Sequence, residues 1–106
     1  MAAIVMFFMF DSFIAIAGTV EKWLCTRQGV SRTIRLVAPT KGGAPCKVFY
    51  SKRFTNDLDD SEIEADQDAG RVKPIYYSTG NGDFCVKKMD GQLDDNRDHD
   101  WTCRKV

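Results

Sequence analysis

Histidine is nearly absent from this sequence, and no two of its cysteines lie close together. His99 is the single histidine, and the four cysteines are Cys25, Cys46, Cys85 and Cys103. Structural zinc sites are normally built from Cys-x-x-Cys pairs or from clustered cysteines and histidines. A nucleophilic enzyme needs a base beside its nucleophile, and His99 lies in a very polar stretch where we expect it to be exposed. The sequence therefore predicts no zinc site and no catalytic residue.

Loops that bind phosphate or calcium are also missing. The segment GNGDF lacks the lysine and the second half of a P-loop. In the acidic run 57–68, the sixth position of a calcium loop is Glu62, where glycine is required. A second acidic start at Asp94 places His99 at that position. We expect the protein to use no metal and no cofactor.

The first seventeen residues contain no lysine or arginine, and Asp11 interrupts their apolar run. A charge at the centre of a bilayer costs about 3 kcal/mol on insertion scales, which disfavours a permanent span. The segment ends in Ala15-Ile16-Ala17, with small residues where signal peptidase accepts them. We predict that residues 1–17 are a signal peptide cleaved before Gly18, which makes the protein periplasmic or secreted. An uncleaved membrane anchor and a buried N-terminal helix or strand are the alternatives.

The four cysteines all lie in residues 18–106, which we expect to form a single small domain. An even number of cysteines in a short exported chain indicates two disulfides. Each disulfide typically contributes about 2–4 kcal/mol by restricting the unfolded chain. Three pairings exist, and we favour Cys25–Cys46 with Cys85–Cys103 because these cysteines are nearest in the sequence.

Apolar periodicity predicts an α+β fold. Strands are expected over 20–27, 32–38, 46–52 and 73–79, with a short strand over 101–106. In the second strand Ile34, Leu36 and Ala38 alternate with more polar positions, and Gly29 suits a hairpin turn before it. Cys85, Met89 and Leu93 recur every four residues, so we expect a helix that begins at Phe84, capped by Asp83. We therefore predict a small antiparallel sheet of four to five strands with one C-terminal helix packed on it, stapled by two disulfides.

Charge is segregated along a chain whose formal net charge is zero. Residues 22–53 carry eight basic and no acidic side chains, whereas seven of the twelve residues in 57–68 are acidic. We expect residues 54–72 to form a long acidic loop, because they are too polar to bury much surface. The candidate partner-binding residues are drawn from both charged segments: Asp57, Asp59, Asp60, Arg32, Arg35 and Lys52. Basic side chains beside Phe49 and Tyr50 suit nucleic acid, but export makes that partner improbable, and we expect none.

The order of motifs resembles a family of small exported bacterial proteins of unknown function. The matching segments read, in order, "C…R.IRL…PCKV.Y.K", "G.FC..K" and "W.C", and they carry all four cysteines. The chain departs from the pattern at "IYYST", where the family has a tryptophan, and before Trp101, where it has glycine and this chain has Asp100. The resemblance implies an exported four-cysteine domain, and it implies no catalytic residues.

The sequence thus predicts a small binding or accessory protein of the bacterial envelope, without enzymatic activity. Its partner is expected to be an extracytoplasmic protein or an envelope component. The alternative is a protein inhibitor of a protease or of a lysozyme-like cell-wall hydrolase. Because lysozyme is cationic, such an inhibitor is expected to offer the carboxylates of the acidic run 57–68 to its target.

Overall fold

The structure is a computed structural model that describes residues 18–54 and 60–106, with only the backbone at residues 53, 54 and 60. The predicted signal peptide lies outside the described residues. The elements in chain order are β1 (Gly18–Arg27), β2 (Val30–Ala38), β3 (Cys46–Phe54), α1 (Asp60–Asp68), β4 (Tyr76–Ser78), α2 (Gly82–Asp98) and β5 (Thr102–Lys105). None of the helices in this described part is long and apolar enough to cross a membrane.

The five strands form one antiparallel sheet in the order β4-β3-β2-β1-β5. Its three long strands are consecutive in sequence and lie in the middle. A two-residue turn joins β1 to β2, with φ of 49° at Gln28 and 79° at Gly29. Positive φ at both central residues is the geometry that matches the twist of a hairpin. The predicted hairpin and the predicted α+β fold are confirmed.

The hydrophobic core lies between α2 and one face of the sheet. Ile34 and Leu36 of β2 and Val48 of β3 point to this face, and the helix contributes Met89 and Leu93. All five side chains are almost fully buried. The helical stripe and the alternation predicted for β2 are confirmed, because the two periodicities bring one apolar surface of each element together.

The acidic segment differs from its prediction, because residues 60–68 form a helix instead of a loop. This helix, α1, lies over the opposite face of the sheet, where Lys22 and Arg35 bind its carboxylates. Ionic attraction to a basic face therefore organises a segment with too few apolar residues to pack by itself. β2 is buried on both faces from Thr33 to Ala38, although the alternation of its apolar residues is typical of a strand that is buried on one face.

The start of α2 also differs from the prediction. The helix begins at Gly82 with Asn81 at the N-cap, and Asp83 lies in its first turn, where a carboxylate is favourable to the helix dipole. The backbone of Gly42 and Gly43 packs directly against Gly82. A Cβ at Gly82 would lie 2.1 Å from the carbonyl oxygen of Gly42, so this contact requires glycine.

The end of α2 is closed by a residue in the left-handed conformation. Asp100 has a φ of 68°, and the amide of Trp101 donates to the carbonyl of Asn96 over 3.0 Å. This is the helix ending in which glycine is usual. Aspartate is one of the few other residues that tolerate this conformation.

The disulfides join Cys25 to Cys103 and Cys46 to Cys85, so the pairing favoured from the sequence is wrong. Because β2 lies between β1 and β3, those two strands are two inter-strand spacings apart, roughly 9–10 Å. A disulfide needs Cα atoms within about 7 Å. Cys25 is instead the direct cross-strand neighbour of Cys103. Cys46, at the start of β3, lies against the first turn of α2, with 6.3 Å between its Cα and that of Cys85.

Glu21 is a buried carboxylate near the start of β1, beside the loop that joins β2 to β3. The indole nitrogen of Trp23 donates to it over 2.9 Å, Lys41 donates over 3.0 Å, and the ammonium of Lys105 lies 3.3 Å away. Burial acts to raise the pKa of Glu21, but these donors outweigh it, and the pKa lies below its ordinary value of 4.5. The ionised form therefore stabilises the fold.

A tryptic digest without reduction tests the disulfide assignment. Trypsin should release residues 23–27 linked to residues 98–104, and residues 42–47 linked to residues 72–87, because Lys73 is followed by proline and resists cleavage. Mass spectrometry before and after reduction identifies both pairs. Recovery of residues 23–27 linked to residues 42–47 would contradict the structure.

The variant Glu21→Gln tests the buried carboxylate. Because the folded-state pKa is below 4.5, the ionised form contributes stability above that pH, and the contribution is lost as pH falls through the folded value. We expect the variant to lose about 1–3 kcal/mol of unfolding free energy at pH 7 and to lose less further stability than the wild type on acidification. Urea unfolding between pH 7 and pH 3 measures both. Asp90→Asn, at an exposed position of α2, is the control at pH 7, and an equal loss there would contradict the role of Glu21.

Candidate functional site

A groove lies between α2 and the β4 edge of the sheet. The buried stripe of α2, Cys85, Met89 and Leu93, faces the sheet. The residues that precede each of these by one position, Phe84, Lys88 and Gln92, line the groove with Tyr76. The groove consists of two adjoining cavities of about 620 Å³ and about 300 Å³, which share Tyr76 and Gln92. The residues that line this α2–β4 groove are Tyr50, Ile75, Tyr76, Phe84, Lys87, Lys88, Gly91, Gln92 and Asp95.

Aromatic rings and a lysine form the outer part of the α2–β4 groove. The rings of Tyr76 and Phe84 meet edge to face, with their centres 6.3 Å apart. The ammonium of Lys88 lies 5.3 Å from the centre of the Tyr76 ring and 5.6 Å from that of Phe84. The amide of Gln92 approaches the Tyr76 hydroxyl at 3.4 Å. The groove therefore presents apolar surface with the charge of Lys88 beside it and two neutral polar groups, while Lys87 and Asp95 add one charge of each sign to its lining.

Arg32 closes the inner part of the groove behind Tyr50. Its guanidinium carbon lies 3.9 Å from the centre of the Trp101 ring and 5.6 Å from that of Tyr50. One of its nitrogens donates to the side-chain oxygen of Asn96. Burial raises the pKa of Tyr50; the charge of Arg32 acts against the shift and Asp95 adds to it. The phenol is therefore neutral at physiological pH and offers a hydroxyl, not a charge, to the groove.

Two buried donors in this cluster lack a hydrogen-bond partner within the described chain: Nε of Arg32 and Nδ2 of Asn96. Asn96 is almost fully buried at the end of the α2 stripe. The stacking of Arg32 on Trp101 and its bond to Asn96 hold the guanidinium in place.

The candidate residues named from the sequence do not form one site. Arg32 and Lys52 are direct cross-strand neighbours of β2 and β3, on the face that carries α2. Arg35 points to the opposite face, where α1 covers it. Asp57 and Asp59 lie outside the described residues, and Asp60 is the first residue of α1, with its side chain not described. The basic residues are therefore divided between two surfaces.

The groove residues themselves were not predicted from the sequence. Phe84, Lys88 and Gln92 recur every four residues beside the apolar stripe, and that spacing places them on one helix face. This signal was present in the sequence but was read only for the stripe that forms the core. Their position beside Tyr76 and Tyr50 depends on how the helix crosses the sheet, which the sequence pattern does not give.

His99 and the possible metal ligands contribute no chemistry to the groove. The His99 side chain is exposed, as predicted, and its Nδ1 lies 2.8 Å from the carbonyl oxygen of Asp95. Within residues 18–54 and 60–106, no group of three or more histidine, cysteine, aspartate or glutamate side chains is arranged to hold a metal ion. All four cysteines are in disulfides.

Comparisons with known proteins add no assignment. The chain matches no protein-family model, no curated protein and no solved structure. Its function must therefore be inferred from its own geometry.

Proposed function

We propose that the protein is a small non-catalytic binding domain that acts outside the cytoplasm and binds its partner through the α2–β4 groove. The observation that carries this proposal is the groove itself, in which half-buried tyrosine and phenylalanine rings lie beside exposed lysines. Aromatic side chains are enriched in binding interfaces because they offer a large, rigid contact area. One wall of the groove is α2, and the Cys46–Cys85 disulfide joins the first turn of this helix to β3.

The partner is a segment of an extracytoplasmic protein that carries an apolar or aromatic side chain next to carboxylates. The apolar side chain packs on the outer surface of the Phe84 and Tyr76 rings, which contact each other edge to face, and replaces water there. A carboxylate fits beside Lys87 and Lys88, which are exposed at the rim of the groove. Gln92 and the two tyrosine hydroxyls supply hydrogen bonds that orient the segment, as the few polar groups of a binding pocket usually do.

Export is the second part of the proposal. Two disulfides in a chain of this size are typical of oxidising compartments, since cytosolic thiols are kept reduced. The apolar residues 1–17 and their small residues before Gly18 are typical of a cleaved signal peptide. Membership of the resembled family of exported four-cysteine proteins agrees with this location and stays a prediction.

The inhibitor alternative stays a prediction. Asp57 and Asp59, two of the carboxylates that it assigns to the target, lie outside the described residues, and the side chain of Asp60 is not described. Within α1, Glu64 and Asp68 bind Lys22 and Arg35, and Asp66 binds Arg71 over 2.9 Å, so these three carboxylates would have to exchange a basic partner in the same chain for one in the target. A lysozyme activity assay in the presence of the purified protein distinguishes this alternative.

Intact mass of the protein recovered from the envelope of its host tests export. We expect a chain that begins at Gly18, with a mass four hydrogen atoms below that of its reduced form. Alkylation under denaturing conditions should label no thiol before reduction and four thiols after it. A full-length chain with four alkylatable thiols would contradict the proposed compartment.

Selection of random twelve-residue peptides on the purified oxidised protein tests the groove. We expect enriched peptides to combine an aromatic or large apolar residue with neighbouring carboxylates. Fluorescence anisotropy with a labelled selected peptide should show binding at least about tenfold weaker for Phe84→Ala and for Lys88→Glu, since truncation of a central contact commonly costs more than 1.4 kcal/mol.

The matched control for the charge change is Arg104→Glu, because Arg104 is exposed on β5 at the other edge of the sheet. Circular dichroism of each variant separates a loss of binding from a loss of folding. Lys88→Glu changes an exposed residue, so it is informative even where Phe84→Ala unfolds the domain. Peptides that bind all variants equally would place the binding surface elsewhere.

A further inference from the structure

The helix α1 has little surface with which to pack. Ile63 and Ala65 are the apolar residues in its nine-residue sequence, and Ile63 is half-buried while Ala65 is exposed. Between residues 61 and 68, Gln67 is the one buried side chain. Isolated helices of this length are unstable in water even when their residues favour helix. The helix therefore depends on its contacts with the sheet.

Those contacts are polar, and they converge on one arginine. Arg35 donates from Nη2 to Gln67 over 2.7 Å and to Asp68 over 3.0 Å, and its Nε lies 3.6 Å from Glu64. Lys22 donates to Glu64 over 2.9 Å. Asp68 is 60 % exposed and Glu64 is 27 % exposed. Ion pairs at this level of exposure are weakened by salt. The attachment of α1 to the sheet is therefore largely electrostatic, and its strength depends on the salt concentration.

The sheet beneath α1 differs from an ordinary solvated face. Val37 and Phe49 are buried there, and the guanidinium carbon of Arg35 lies 5.1 Å from the centre of the Phe49 ring. A cavity of about 370 Å³ extends from Asp68 along this face, between Thr19, Val37, Lys47 and Phe49. Lys47 is exposed at its edge. The face thus combines a fixed arginine, further lysines and an apolar floor that α1 does not fill.

We propose that this basic face of β1, β2 and β3 is a second binding surface, for an acidic helical segment of another protein, and that α1 occupies it until that segment displaces it. The acidic sequence of α1 shows which chemistry the face accepts: carboxylates spaced along one side of a helix, with an amide between them for Arg35. An incoming segment that makes the same contacts and adds an apolar side chain for the cavity beside Phe49 binds in preference to α1. The surface is on the opposite side of the sheet from the α2–β4 groove, so it does not depend on the function proposed for that groove.

Competition between α1 and a peptide of the same chemistry tests this inference. The probe is a fluorescein-labelled peptide with the sequence of residues 57–71. The receptor is the full oxidised protein, compared with the variant Glu64→Gln/Gln67→Ala/Asp68→Asn, in which α1 loses its ion pairs and hydrogen bonds to Lys22 and Arg35 while Lys22, Arg35 and Phe49 stay intact. We expect the peptide to bind this variant at least tenfold more tightly than the wild type, because the tethered competitor is weakened.

Two controls separate displacement from general attraction. A peptide with the Glu64→Gln and Asp68→Asn changes should bind the variant at least tenfold more weakly than the original peptide. Raising the salt concentration from 50 mM to 500 mM should weaken binding of the original peptide. Equal binding to wild type and variant, or equal binding of both peptides, would overturn the inference. A variant that sediments as a dimer would also overturn it, since the occupant would then be α1 of a second copy.

Discussion

The passage of α2 across the sheet is the constraint on which the rest of the structure depends. The chain leaves β4 at one edge of the sheet and must return to β5 at the other edge. A helix of seventeen residues is about 25 Å long, which exceeds the roughly 19 Å width of a five-stranded sheet. The helix therefore covers the sheet from edge to edge in one pass. Its buried residues Cys85, Met89 and Leu93 close the core against the sheet.

The disulfides hold the two ends of that passage. Cys85, in the first turn of α2, is bound to β3, and Cys103, just after the helix, is bound to β1. Their loops span 39 and 78 residues, so in the chain-entropy view each removes about 4 kcal/mol or slightly more of unfolded-state freedom. With both ends fixed, the side of α2 that faces β4 has a defined position relative to Tyr76, and the aromatic groove becomes a rigid feature of the surface.

The two faces of the sheet are held by different forces, and this difference decides what the sequence could reveal. On the α2 face the spacing of Ile34, Leu36 and Met89 predicts the core directly, because a strand period of two and a helix period of about 3.6 residues place the apolar side chains of each element on one side. On the other face the ordering of α1 depends on a contact between Arg35 and carboxylates some thirty residues away, and no local pattern encodes it. The same reason explains the wrong disulfide pairing: β2 separates Cys25 from Cys46, which is a fact of strand order and not of distance along the chain. The candidate site was missed in part because Phe84 and Lys88 form a groove only together with Tyr76, and the sequence does not show that α2 lies beside β4.

The short strands at the two edges of the sheet have a consequence for how the molecule meets its neighbours. β4 has three residues and follows Pro74, and β5 has four residues that include Arg104 and Lys105. Exposed strand edges are templates on which other chains add strands and aggregate, and short, charged edges suppress that process. β4 pairs with Cys46–Val48 of β3 and β5 pairs with Trp23–Thr26 of β1, so each short strand covers part of the neighbouring long strand. Where β4 and β5 form the edges of the sheet, few backbone groups are therefore available for uncontrolled strand addition.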